Sequence, residues 1–237
     1  MNKSTKLAAG IVLALMAGQA LAAEDTVDVK VTGQIVPPAC VPAVTGGAVF
    51  DYGAIKAASL SQDNYTVLPQ KSLTFSLTCD SPTKVAFKST DGRAGSAVIP
   101  VGSKLWSDNY AAVTADTPMM GLGLDGTKKI GGYQLRAVIG NSSVTTDGQT
   151  VKSQSLRSTD NGATWVVPGA TDVVWFPDYA QSGQITSIAA TGTLSPVAIT
   201  SFSGTMNVQA VINKGSELDL TKTTNFEGLT TIQVIYL

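Results

Sequence analysis

The chain of 237 residues contains no histidine. That single absence removes Ser-His-Asp and Cys-His nucleophilic catalysis, His-ligated zinc and imidazole proton shuttles. Cysteine is nearly absent too: Cys40 and Cys79 are the two present, spaced far beyond the C-x-x-C of a redox pair. Charge is sparse, at 14% of residues with a net of −1. A chain this weakly charged carries no footprint for nucleic acid. Beyond the first two dozen residues no apolar run is long enough for a transmembrane helix, and no window repeats with the 3.6 period of an amphipathic helix. What remains open is hydrolysis by carboxylates alone, or a binding or structural role without catalysis.

What is present begins with a leader. Lys3 and Lys6 form a positive start, residues 7–21 are apolar apart from Gly10, Gly18 and Gln19, and Ala20-Leu21-Ala22 supplies small residues at a cleavage site. Residues 1–22 are therefore expected to be an export signal. Residues 23–237 are expected to be a single domain outside the cytoplasm, where two cysteines most simply form one disulfide, Cys40–Cys79. Closing a loop of roughly 40 residues stabilises by about 4 kcal/mol on the chain-entropy model.

Alternation with period two dominates the rest. In 26–36, Val27, Val29, Val31 and Ile35 share one face, with Gly33 interrupting it. A short aromatic strand is expected at 49–55. Leu73, Phe75, Leu77 and Cys79 alternate with polar residues, and Val85 and Phe87 continue the pattern after Ser81-Pro82. Further strands are expected at 133–139, 206–212 and 232–236. Asp91-Gly92, Asp125-Gly126, Asp147-Gly148 and Asn161-Gly162 read as turns. The fold class is all-β, with a spacing that suits a sandwich. Residues 140–192, poor in apolar residues, read as a hairpin and loop insertion on it.

The last strand, 231–237, alternates up to the final residue with Tyr236 penultimate. A strand whose main chain and apolar face still need a partner is a place for β-augmentation. With the export signal, the Cys40/Cys79 spacing, the strand pattern from 26 to 87 and the closing Ile232/Val234/Tyr236 triplet, the chain resembles the chaperone–usher pilin subunits of Gram-negative bacteria, closest to the fimbrial-like proteins encoded beside pilus chaperones and ushers. The resemblance covers roughly 24–139 and 200–237. It implies an immunoglobulin-like sandwich lacking its final strand. The acceptor groove would have Ile232, Val234 and Tyr236 on one wall and Val29, Val31 and Ile35 on an opposite strand A, with the chaperone holding Leu237. The implied partners are a periplasmic chaperone, an outer-membrane usher and other pilus subunits, and the implied destination is the periplasm and then the cell-surface fimbria. The resemblance implies no enzyme activity, cofactor or metal. A polymerising pilin also carries a donor segment before strand A. After a cleavage at Ala22, either residues 27–35 are that donor and strand A is unexplained, or the subunit accepts a strand, donates none and sits at a fibre tip. The second alternative is the reading adopted from sequence.

Other signals compete with this one. Ser158-Thr159-Asp160-Asn161-Gly162-Ala163-Thr164-Trp165 matches the Asp-box pattern S-x-D-x-G-x-T-W, found in sialidases and other secreted β proteins. One copy, with three arginines in the chain (Arg93, Arg136, Arg157), fits a hairpin clasp rather than a glycosidase propeller. Trp165 and Trp175, with Trp106, Tyr110 and Tyr179, would stack on sugar rings if exposed and plug the core if not. A self-contained carbohydrate-binding sandwich that recognises a host glycan is the alternative function. Asp172, Asp178, Glu217 and Asp219 are acid/base candidates by residue type alone, and nothing in their spacing pairs two of them. Asp125-Gly126 and Asp147-Gly148 lack the liganding repeat of a calcium loop.

Overall fold

A computed structural model describes residues 27–36, 38–106, 112–139, 144–146, 148–169, 173–177 and 183–237. Residues 1–26, which hold the expected export signal, lie outside it. Two compact units are distinguished, up to Val36 and from Pro37 onward.

In the first unit, residues 27–36 join no sheet. This corrects the expectation of a strand A there. Val29, Val31 and Ile35 are 83%, 91% and 99% exposed, so they are not the buried side of a strand packed on a core. Alternating valines make a segment competent for a sheet, but the ladder needs a second backbone.

The second unit is all-β, and its fourteen strands among the described residues run antiparallel wherever they pair. In chain order they are β1 Cys40–Val44, β2 Thr66–Val67, β3 Lys71–Asp91, β4 Met120–Gly121, β5 Leu124–Asp125, β6 Lys128–Lys129, β7 Gly131–Val138, β8 Val144–Thr146, β9 Gln149–Val151, β10 Ser153–Ser158, β11 Val173–Trp175, β12 Ile185–Ala190, β13 Ala198–Ile212 and β14 Thr230–Tyr236. The first strand of the fold is therefore β1, a position the valine pattern at 26–36 had drawn attention away from.

β3 organises both layers. Its first half pairs with β1 on one side, Cys40 opposite Cys79, and with β13 on the other. Around Asp80–Pro82 the side chains turn to solvent, and the second half then pairs with β14 and β12. One layer thus runs β1–β3–β13–β7, with β4 and β11 both on the far edge of β7. The other runs β10–β12–β3–β14. The hairpins of the 140–192 stretch are stitched into these layers, since β8 pairs with β13, β11 with β7 and β12 with β3.

Four phenylalanines fill the space between layers. Phe75 meets Phe87, Phe176 and Phe202 edge-on at 5.7, 5.9 and 5.8 Å between centroids. Such pairs add about 0.5–1.5 kcal/mol each beyond the area they bury. Phe50, Tyr52 and Ile55 pack against this core without forming the short strand expected at 49–55. The Cys40–Cys79 disulfide is formed.

A second, smaller core lies on the other face of β7. Val98, Leu105, Trp106, Val113 and Met119, from the long connection after β3, cover Val211 and Trp175. Arg136 is buried there at 2% exposure, with its guanidinium 3.9 Å from the Trp106 ring centre and 5.6 Å from that of Trp175. Aromatic faces are negative, so they suit a cation removed from water. Trp106 completes the arrangement by donating its indole N–H to Gln134 Oε1 at 2.8 Å.

Candidate functional site

β14 is an edge strand. Its seven residues pair with β3 from Thr230–Asp91 to Tyr236–Val85, and among the described residues no strand pairs with its other side. Ile232 and Val234 are half-buried and pack on the phenylalanine core, whereas Thr231 and Gln233 face solvent. The strand therefore has an apolar inner face that is only partly covered and a backbone edge that is open. An open edge of this kind is a template for another strand.

Both ends of β14 are fixed. At its start Thr230 shares a hydrogen bond with the Tyr133 hydroxyl at 2.7 Å, and desolvation pushes that phenol up to about 12. Ahead of it, the 213–229 segment is pinned by three surface ion pairs: Lys128–Glu217 and Lys222–Asp125 at 3.0 Å, and Arg93–Glu227 at 2.7 Å. At such exposure water and salt screen these pairs, so each contributes little. Glu217 and Asp219 thus serve as surface partners, Asp219 accepting hydrogen bonds from Thr221. At its end, the Tyr236 hydroxyl accepts the Cys40 N–H at 2.9 Å, and Leu237 N–H donates to Lys84 O at 3.0 Å. Tyr236 thereby joins the last strand to the first.

Of the expected groove residues, Ile232, Val234, Tyr236 and Leu237 come together along this strand. Val29, Val31 and Ile35 belong to the first unit and join no sheet, and among the described residues β1 is the strand that pairs beside the Cys79 stretch of β3. Sequence reasoning missed β1. Its signal was Pro38, which breaks the pattern just before Cys40, together with Pro42, which marks an edge strand.

The Asp-box segment is a hairpin clasp at the end of β10. Asp160 accepts the Thr164 N–H at 2.9 Å and hydroxyl at 2.6 Å and the Ser158 hydroxyl at 2.6 Å, while Ser158 Oγ accepts the Gly162 N–H at 2.8 Å. Asn161 and Gly162 take positive φ of 56° and 94°, the pair a tight reversal requires. Trp165 is half-buried against Gly162. The Ser158 and Thr164 hydrogen bonds hold the Asp160 carboxyl down at about 2, below its ordinary 3.8. The folded value is depressed, so this contribution is complete above the unfolded value and is lost as pH falls toward about 2. Trp165 fluorescence should therefore shift as pH falls through about 2 in the native chain. In Asp160→Asn the shift should be absent and the acid-like spectrum present already at pH 7. An unchanged spectrum in that variant would remove Asp160 as the clasp.

Trp175 lies elsewhere. β4 and β11 leave a gap along β7, and a cavity of about 210 Å³ opens there. Met120, Leu135 and Phe176 line its buried part, and Pro118, Gln134 and Trp175 are its more exposed walls. Tyr110, Asp172, Asp178 and Tyr179 lie outside the described residues.

Comparison with known proteins places the chain among relatives without an assigned activity. The family described as "Protein of unknown function (DUF1120)" matches residues 29–134. Protein GltF of Escherichia coli (strain K12) is 26% identical over 253 residues, covering 95% of this chain and 94% of that protein. The uncharacterized protein YhcF of the same organism is also 26% identical over 253 residues, covering all of both. No solved structure matches the chain.

Proposed function

We propose that this chain is a structural or adhesive subunit of a chaperone–usher fimbria, exported to the periplasm and built into a surface fibre by donor-strand complementation. The observation that carries the reading is β14: an open backbone edge whose inward side chains, Ile232 and Val234, are half-buried on the main core. A strand from a periplasmic chaperone would cover that edge first, and a strand from a neighbouring subunit would replace it at the usher.

Residues 27–36 supply the donor. β1 already serves as the first strand, so the valine segment is not needed for the sandwich, and its exposed apolar residues await a partner. Ten residues, if extended to about 3.3 Å each, would outreach the seven of β14. On this reading the subunit is a donor as well as an acceptor, the alternative that stands beside the fibre-tip position in the sequence analysis.

The second reading, a self-contained carbohydrate-binding sandwich, draws on the half-exposed Trp175 at the cavity. Against it stands the cavity's buried wall, since sugar hydroxyls placed on Met120, Leu135 and Phe176 would lose their hydrogen bonds at about 1–3 kcal/mol each.

Producing the chain in the periplasm with and without a pilus chaperone separates the two. The fimbrial reading expects a one-to-one heterodimer, and a lone chain that proteases degrade. A protease-resistant monomer indifferent to the chaperone would overturn it, and binding to a glycan array would then support the second reading.

A further inference from the structure

Within a strand, the N–H and C=O of one residue point to one side and those of the next residue to the other. Two bonds fix the parity of β14: Leu237 N–H donates to Lys84 O, and Leu229 O accepts from Gly92 N–H. Odd-numbered residues therefore face β3. Thr230, Ile232, Val234 and Tyr236 present their backbone groups outward, none is proline, and none has a backbone partner among the described residues. This edge offers a complete ladder.

The edge of β1 is the opposite case. Ala39 O accepts from Asp80 N–H at 3.0 Å, so Ala39, Val41 and Ala43 face β3. The outward residues are Cys40, Pro42 and Val44. The Cys40 N–H is committed to Tyr236 Oη at 2.9 Å. Pro42 has no N–H, and its ring occupies the place where a neighbouring backbone would approach to ladder distance. Beyond Val44 the chain turns away through Gly46, Gly47 and Ala48, all at positive φ. One outward donor remains, at Val44.

Resting on the reading above, we infer that an incoming strand forms its hydrogen-bond ladder with β14 alone, and that β1, blunted by Pro42 and by the Tyr236–Cys40 bond, contributes side-chain contact only. The partner is an extended segment with alternating small apolar residues, and the segment at 27–36 of a second copy of this chain has that character.

The probe is a synthetic peptide of residues 27–36, titrated against the monomeric full chain. Two variants carry backbone N-methyl groups, one at Val29 and Val31, the other at Lys30 and Thr32. The two sets point to opposite neighbours, so only one faces β14. That one should lose at least about 30-fold in affinity through two missing ladder bonds, and the other less than about threefold. Loss confined to the Val29/Val31 peptide also reports an antiparallel arrangement, and loss confined to the Lys30/Thr32 peptide a parallel one. In the Pro42→Ala chain, which restores the donor, the insensitive peptide should become sensitive. Equal losses in both peptides would overturn one-sided pairing and leave the fimbrial reading standing. Failure of the unmodified peptide to bind, or full binding by both variants, would overturn augmentation itself and the inference with it.

Discussion

Replacing Cys79 by serine should sharply lower the amount of folded chain recovered from the periplasm. The bridge joins the first residue of β1 to β3, and β1 is five residues long with one paired neighbour. Five ladder positions on an edge are marginal alone, and a bridge closing a loop of this length contributes about 4 kcal/mol. Against a typical total of about 5–15 kcal/mol, that loss moves a domain from well folded to substantially unfolded. The measurement is periplasmic yield and thermal midpoint of Cys79→Ser beside Cys40→Ser. Both should fall together, and reducing agent should bring the native chain to the same midpoint. Normal yield in either variant would mean that β1 stays docked without the bond.

Val234→Asp should abolish strand capture. Val234 is half-buried on the inner face of β14 and packs against the main core. When a donor strand closes over it, a carboxylate there would be dehydrated among apolar side chains of the core, at a cost of several kcal/mol. Chaperone co-purification should fall by more than a hundredfold. Gln233→Asp is the matched control, because residue 233 lies on the same strand and faces solvent, and its capture should stay within a few fold of the native chain. Equal capture by both variants would show that the inner face of β14 is not where a strand docks.

Much of this edge was legible in the sequence because its residues obey one rule. In 73–79, 206–212 and 232–236 the apolar residues alternate and the structure places strands there, although in 206–212 the polar side, Asn207 and Gln209, is buried as well and Tyr236 stays exposed. Asn161-Gly162 and the Cys40–Cys79 bond follow from equally local chemistry. The errors arose where local pattern and tertiary partner part company. Residues 27–36 alternate as well as any strand, but alternation reports which residues would share a face and not whether a backbone stands beside them. β1 hid because Pro42 weakens its pattern, and that same proline gives the edge its asymmetry. Phe50, Tyr52 and Ile55 read as a strand, yet they contribute side chains to the core without a ladder. Arg136 enters the sequence reading only as one of three arginines, and nothing local marks it as buried. Its burial depends on Trp106, thirty residues earlier in a connection that sequence alone leaves unplaced.

The continuity of β3 through both layers bears on how the domain carries mechanical load. Its first half holds β1 and its second half holds β14, so a pull between these two edges is transmitted along one unbroken backbone. Tension arriving through the residues before Cys40 meets the disulfide at the very first position of β1. The force passes into β3 through a covalent bond before it can peel β1 away one hydrogen bond at a time. If the proposed fibre forms, tension along it would enter the sandwich through this covalent bond.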